Sequence, residues 1–381
     1  MILDNFLIHS FEPLFLTIDK IGPFQESPVV FDFTNEDDEP CNFFLFVSEN
    51  GKGKTTILEL MAILMNMLRY REIESLGYDA LDHQKGCVQW DILLRLFRDG
   101  KDQTIILSLI AGTCDSSGIS VWTEDRLIKF SASSWHRFGF RRRTSGRLER
   151  INKNDELVND LLSNIKNNFD IESFGFEESQ ISLPTLLYFS AYRDIPAVLE
   201  KQRMIIQPDD WGYKPVYTFS QDGSNWTKSL DNLLVWLRWL DDGRFERARD
   251  IINNRVFKRK TKFLKGVQKS PPEAVIMSEG QKHSLDKLSS GEKSLVQLFL
   301  RIGTHMTRNT ILLIDEMDVH LHPKMQHRLL NILKDMAKDI PGLSIISTTH
   351  SREILNGFSY ETEEKNLRKG GHIIEDNLEV V

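Results

Sequence analysis

Residues 44–60 read FLFVSENGKGKTTILEL. An apolar run, a glycine-bearing turn and a helix-spaced apolar pattern follow one another, the order of a strand, a phosphate loop and a helix. The spacing approaches G-x-x-x-x-G-K-[ST], but Ser48 stands where the first glycine is expected. Serine is small and common in turns, so the loop is expected to keep its affinity for ATP. Gly51 and Gly53 let the backbone curl toward an anion. The following helix start aims its free N–H groups and its dipole at the phosphates. Lys54 is expected on the β- and γ-phosphates and the Thr55 hydroxyl on Mg²⁺. Asn50, Lys52 and Thr56 complete the candidate cradle, with Lys52 facing either the phosphates or solvent.

Outward from this stretch, residues 5–34 suggest short strands, with turns at IGP and ESP. Two apolar runs around Asp99-Gly100 spell a hairpin. GISVWTEDRLIKFS suggests further strands, residues 132–155 a basic, loop-rich stretch, and Asp155 to about Asn167 a helix. LPTLLYFSAYR (183–193) suggests a buried strand, and SLDNLLVWLRWL and GRFERARDIINNRVF two helices. EAVIMSE is read as a strand, then come a helix at 291–302, strand TILLID, a helix through PKMQHRLLNILKDMAKD and strand LSIISTT. Four segments follow from this: an N-terminal lobe over 1–80, an antiparallel β subdomain with a basic insertion over 81–195, a helical lid over 196–273, and a C-terminal lobe over 274–381. No heptad pattern is sustained, which argues against a long coiled-coil arm.

With 381 residues, 40% of them hydrophobic, the chain can bury a sizeable core. Three scattered cysteines, Cys41, Cys87 and Cys114, give neither a disulfide framework nor a zinc spacing and fit a reducing cytoplasm. The N-terminus lacks the pattern of a signal peptide, and no apolar run is long enough to span a bilayer. The net charge of −7 is uneven: residues 136–150 and 244–269 together carry +13 against −20 elsewhere. Both basic segments are candidate surfaces for nucleic acid, with solvated loops or an acidic-protein dock as alternatives.

Two further motifs bear on chemistry. TILLIDEMD (310–318) describes a buried strand with carboxylates at its tip, Asp315 for the Mg²⁺ shell and Glu316 to polarise an attacking water. DKLSSGEKSLVQLFL (286–300) begins an amphipathic helix with a second anion-ready N-terminus. A chain that already has a phosphate loop gains from this second site if it serves a neighbour's nucleotide.

LSSGEKS is similar to the signature motif of ABC-class ATPases. Together with SENGKGKTT, IDEMDVHLHP and STTHS it most resembles the compact RecF, SMC/Rad50 and OLD branch, often described as AAA ATPases of bacterial defence and repair. The motifs cover about the first 70 and last 100 residues. The resemblance implies an α/β P-loop NTPase with an ABC-type head, a mixed central sheet plus an antiparallel β subdomain, and a helical lid insertion. It implies a homodimer with two ATPs sandwiched head-to-tail, in which Ser289, Ser290 and Gly291 meet the γ-phosphate bound to the partner copy's phosphate loop. Asp318 would lie across the dimer seam and His350 would sense the γ-phosphate. For the family's glutamine loop the candidates are Gln180, Gln202 and Gln207; Tyr192 and Arg193 are further candidates near the site. The pair His320 and His322, with His327, is read as shaping the loop before Pro323 rather than binding a metal. Trp236 and Trp239 are read as lid core.

The favoured function is a nucleotide-gated ATPase in an anti-phage system controlling a separately encoded effector such as a nuclease, since the chain ends about 30 residues past His350. A RecF-like repair ATPase is the alternative. A transporter motor fits less well, because LSSGEKS replaces L-S-G-G-Q and the insertion is large. A scaffold that binds ATP without hydrolysing it is the third class.

Overall fold

The apolar run before the phosphate loop becomes a strand buried on both faces, as its lack of polar alternation requires. The computed structural model describes residues 6–49, 51–114, 119–169, 181–195, 197–198, 203–220, 225–257, 261–359 and 365–374. In chain order the strands are β1 (Phe6–Asp19), β2 (Val29–Asp32), β3 (Phe43–Val47), β4 (Cys87–Arg98), β5 (Lys101–Gly112), β6 (Trp135–Arg142), β7 (Leu148–Arg150), β8 (Pro184–Phe189), β9 (Val216–Phe219), β10 (Lys262–Lys269), β11 (Pro272–Ser278), β12 (Gln281–His283), β13 (Asn309–Ile314), β14 (Leu343–Thr349) and β15 (Lys369–Ile373). The helices are α1 (Lys54–Asn66), α2 (Asp79–Asp82), α3 (Glu124–Lys129), α4 (Glu156–Asn167), α5 (Leu230–Leu240), α6 (Arg244–Ile251), α7 (Ser290–His305), α8 (Pro323–Asp339) and α9 (Arg352–Ser359).

Six strands form one sheet in the order β15-β3-β14-β13-β8-β9, and every neighbouring pair is parallel. A second sheet, β2-β1-β4-β5-β6-β7, is antiparallel except for β5 with β6. Helix α1 joins the two through one continuous core, where Ile57, Leu60, Met61 and Leu64 pack with Trp90, Leu107 and Leu186. The other face of the parallel sheet is covered by α5, α7 and α8, whose Leu234, Phe299 and Leu333 share a core with Leu312 and Ile345. A small sheet, β10-β11-β12, joins that second core through Leu264 and Ile276. The sheets cut across the segments read from the sequence: β8 joins the parallel sheet, and β1 and β2 join the antiparallel one.

Several local expectations change. Residues 6–19 form one 14-residue strand rather than short ones, with register shifts around Ile8–Ser10 and Pro13–Phe15. Such bulges let a strand carry Pro13 without breaking. The stretch read as strands at 118–131 contains α3, begun by Thr123, whose hydroxyl caps the helix ahead of Glu124 and Asp125. The stretch read as loops at 132–155 contains β6 and β7, with Phe138 and Phe140 buried. Trp239 is 57% exposed and stacks on Trp236 at 4.8 Å, so it is not core. The Asp99-Gly100 turn has both residues at positive φ (51° and 77°), the geometry that closes a two-residue hairpin. Among the described residues no helix is long and apolar enough to cross a membrane.

Candidate nucleotide site

Four adjacent parallel strands deliver their C-terminal ends to one place, where open α/β sheets hold ligands. The phosphate loop follows β3, a strap over 190–195 follows β8, the Asp315-Glu316 turn follows β13, and His350 follows β14. The loop enters α1 through Gly53 at φ 93°, with no side-chain cap and no acid in the first turn, so the free N–H groups stay available to an anion. A Cβ on Gly53 would sit 2.6 Å from Pro23 and 2.7 Å from Phe24, so only glycine fits. Ser48 is not among the positive-φ residues, so it carries none of the strain that would demand glycine. Asn50 lies outside the described residues. Lys52 and Thr56 are half-buried on either side of Lys54.

Lys54 is 5% exposed, and its Nζ donates to Ser48 O (2.7 Å), Ser48 Oγ (3.1 Å) and Glu49 O (2.8 Å). Burial lowers its pKa, while Glu316, Asp315 and Asp318 oppose that shift. Thr55 Oγ1 donates to Asp315 Oδ2 at 2.7 Å, and Thr348 Oγ1 donates to Asp315 Oδ1 at 2.7 Å. Thr55 and Asp315 thus present hard oxygens side by side, the donor type that suits Mg²⁺. Glu316 sits in the left-handed region at φ 43°, and its N–H donates to Thr348 Oγ1 at 2.7 Å. A β14 residue therefore fixes both acids of the β13 turn.

No local pattern in the sequence placed the glutamine loop. Gln180 and Gln202 lie outside the described residues, and Gln207 is exposed. The end of β8, next to β13, carries Ser190 and, three residues on, Arg193. Arg193 is 4% exposed; it donates to Ser190 O (2.7 Å), Asp315 O (2.6 Å), Glu316 O (2.9 Å) and Ser294 Oγ (3.1 Å). Burial pulls its pKa down to about 10, and Asp315, Asp318 and Glu316 help keep it charged at neutral pH. Tyr192 is 74% exposed beside it.

Ser289 caps α7 with a reciprocal capping box: Glu292 N donates to Ser289 Oγ (3.4 Å) and Ser289 N to Glu292 Oε2 (3.1 Å). Ser289 and Ser290 are exposed, whereas Gly291 is buried; a Cβ there would lie 3.0 Å from His320 O. The Asp318 carboxylate, expected at the seam, turns inward instead. It is 5% exposed, accepts from Thr349 Oγ1 at 2.5 Å and lies 3.2 Å from His350 Nε2. His350 itself is half-exposed. His322 caps α8, and no group of three His, Cys, Asp or Glu suited to a metal occurs among the described residues.

Residues 49–356 match the family described as "AAA domain, putative AbiEii toxin, Type IV TA system". The "Retron Ec83 probable ATPase" of Escherichia coli is 30% identical over 99 residues, 23% of this chain and 18% of that one. The "Retron Vc95 probable ATPase" of Vibrio cholerae serotype O1 biovar El Tor is 32% identical over 97 residues, with the same coverage of 23% and 18%. The chain thus matches under a fifth of the length of these curated relatives. Among solved structures, an SMC head bound to the C-winged helix domain of ScpA aligns over 91% of each chain at 13% identity, with a TM-score of 0.42. A phosphate loop, an acidic turn and a capped helix at Ser289 lie inside a match that covers most of the chain, and the chain belongs to the AAA-domain family so described.

Proposed function

We propose that two copies of this chain close head-to-tail over two ATP–Mg²⁺ units and open again after hydrolysis. The observation that carries this reading is the division of labour within one chain. Thr55 and Asp315 meet beneath the phosphate loop, while Ser289 and Ser290 face outward ahead of α7, ready for a phosphate held elsewhere. In each half-site Gly51, Gly53 and the N–H groups of α1 cradle the phosphates, with Lys52 and Thr56 flanking them. Lys54 exchanges its carbonyl partners for phosphate oxygens. Mg²⁺ would be held by Thr55 and Asp315, and its chemistry is to neutralise charge on the transferring phosphoryl group. Glu316 orients the water and accepts its proton; His350, positioned by Asp318, contacts the γ-phosphate. Ser289, Ser290 and Gly291 close the site from the other copy. The base fits the cleft of about 640 Å³ beside Gly51 and Lys52, lined by Phe24, Phe31 and His372.

The expected outcome of Glu316→Gln is an ATP-dependent dimer, stalled before hydrolysis, in sedimentation velocity. A variant that stays monomeric in saturating ATP and Mg²⁺ counts against the shared site. The retron names of the relatives support a bacterial defence role, with the open and closed dimers binding a separately encoded effector unequally. Co-purification of such a protein from the native host tests that role. For a polyanion, the surface we favour is the basic cleft around Arg71 and Arg150.

A further inference from the structure

Arg193 joins two parts of the site that serve different nucleotides. Its Nη1 and Nη2 hold the Asp315 and Glu316 carbonyls at 2.6 and 2.9 Å, and so hold the turn that carries Glu316 at positive φ. Its Nε reaches Ser294 Oγ, 3.1 Å away in the first turns of α7. The neighbouring Asp194 accepts from Lys293 Nζ of the same helix at 2.9 Å. The strap is therefore fixed to α7 at two consecutive residues and to the β13 turn at two consecutive carbonyls. Helix α7 is a 16-residue rod with a closed capping box, so movement at Ser289–Gly291 displaces Ser294 with it. Arg193 is buried, so these bonds are little exchanged with water, and a rigid fork holds several acceptors in one geometry.

We propose that the Ser294–Arg193–Glu316 connection couples the two sites of the dimer. The proposal rests on the shared-site reading above. The Ser289–Gly291 turn of one chain docks on the phosphate held by the other chain, and α7 shifts. Arg193 then carries that shift to the first chain's own Glu316, which acts on the first chain's own nucleotide. Each site thus reports its occupancy to the other through a buried guanidinium, and the two turn over together. Arg193 is a positioning residue, since it bonds backbone carbonyls and a hydroxyl and acts through Glu316.

The test is ATP turnover by the full chain against ATP concentration, with ATP binding measured separately by calorimetry. Wild type is expected to respond steeply, with a Hill coefficient approaching the two-site limit of about 2. Ser294→Ala removes the bond from Arg193 to α7 and leaves the Arg193 bonds to Asp315 and Glu316, and the Asp194–Lys293 pair, in place. Its Hill coefficient is expected to fall to about 1, the value for independent sites, with unchanged ATP affinity per chain. Ser294→Thr retains an acceptor and restores the steep response. Arg193→Lys, a point charge that cannot hold all four acceptors, loses both steepness and maximal turnover. A Ser294→Ala variant as steep as wild type overturns the coupling, as does a wild type that dimerises on ATP yet turns over without cooperativity. If Glu316→Gln is monomeric in ATP, the shared-site reading fails and the coupling falls with it; if it dimerises, any failure belongs to the coupling alone.

Discussion

Ser48 occupies the turn where phosphate loops carry glycine, yet its backbone avoids the left-handed region, and its hydroxyl and carbonyl both accept from Lys54. The substitution is therefore absorbed by local geometry, and Ser48→Gly is expected to change ATP affinity by no more than about twofold in calorimetry, well under 1 kcal/mol. Lys54→Ala is a different case. Hydrogen bonds to charged groups contribute about 1.5–3 kcal/mol each, so removing two bonds to phosphate weakens binding by at least about a hundredfold. ATP affinity unchanged in that variant would remove the phosphate loop from the mechanism. Asp318 was expected to face a partner but instead holds Thr349 and His350 of its own chain. Asp318→Asn is accordingly expected to lower turnover by about tenfold or more, the scale of a misplaced catalytic group, while Glu316→Gln,Asp318→Asn still forms the ATP-bound dimer. Loss of that dimer, where Glu316→Gln alone forms it, would return Asp318 to the seam.

At the scale of elements, what the sequence made legible was what is locally periodic. Strand β3, helix α1, the hairpin β4–β5, helix α7 and strands β13 and β14 are unbroken apolar or helix-spaced runs ending in turn or cap residues. Strand β15 is two glycines and a half-exposed edge paired, among the described residues, with β3 alone, so no pattern announces it. Strands β6 and β7 were hidden by their arginines, which lie at the rim while Phe138 and Phe140 fill the core. The Thr55–Asp315 and Arg193–Ser294 contacts join residues 260 and 101 positions apart, beyond any local period. One capping feature was legible and is testable. Asp155 begins α4, accepting from Val158 N (3.1 Å) and from His136 Nδ1 (2.9 Å). Burial alone would raise its pKa, but the bonds from His136 and Val158 outweigh that and hold it below the usual value. A depressed folded-state pKa gives stability that is complete above the unfolded pKa of about 3.9 and is lost as pH falls through the folded value. Asp155→Ala is thus expected to cost about 1–2 kcal/mol in urea unfolding at pH 7, with the difference from wild type shrinking below about pH 4. A difference that stays constant down to pH 3 would mean that the carboxylate charge contributes nothing.

At the scale of the whole molecule, the two basic segments meet different fates, although the sequence made them look alike. In residues 244–269, Arg244 pairs with Asp242 at 2.7 Å, Arg249 with Asp250 at 3.5 Å and Lys262 with Glu292 at 2.9 Å, so part of that charge is used within the fold. Residues 136–150 instead build one wall of a cleft of about 890 Å³ lined by Arg71, Arg143, Arg147, Arg150 and Lys153. Glu72, Glu74 and Glu149 also line it, but Glu149 is held by Arg143 and Arg141. Arg150 and Arg71 bond neutral oxygens, Asn159 Oδ1 at 2.6 Å and Ser163 Oγ at 3.0 Å, and Arg150 Nε is buried without an acceptor. Burial, and then the charge of Arg71, lowers the Arg150 pKa, while Asp155 opposes the shift. On the polyanion role proposed above, such a cleft would neutralise backbone phosphates and release their counterions, so affinity for nucleic acid would fall steeply with salt. The paired variant Arg71→Glu,Arg147→Glu changes only exposed side chains. It is expected to weaken binding of a labelled oligonucleotide at least tenfold and to flatten the salt dependence by a slope of about 2, roughly one for each phosphate left unneutralised. Lys265→Glu,Lys269→Glu, in the other segment, is expected to leave both unchanged. Equal losses from the two pairs would show a diffuse electrostatic attraction instead of a site, and no loss from the first would leave the cleft without a role in binding nucleic acid.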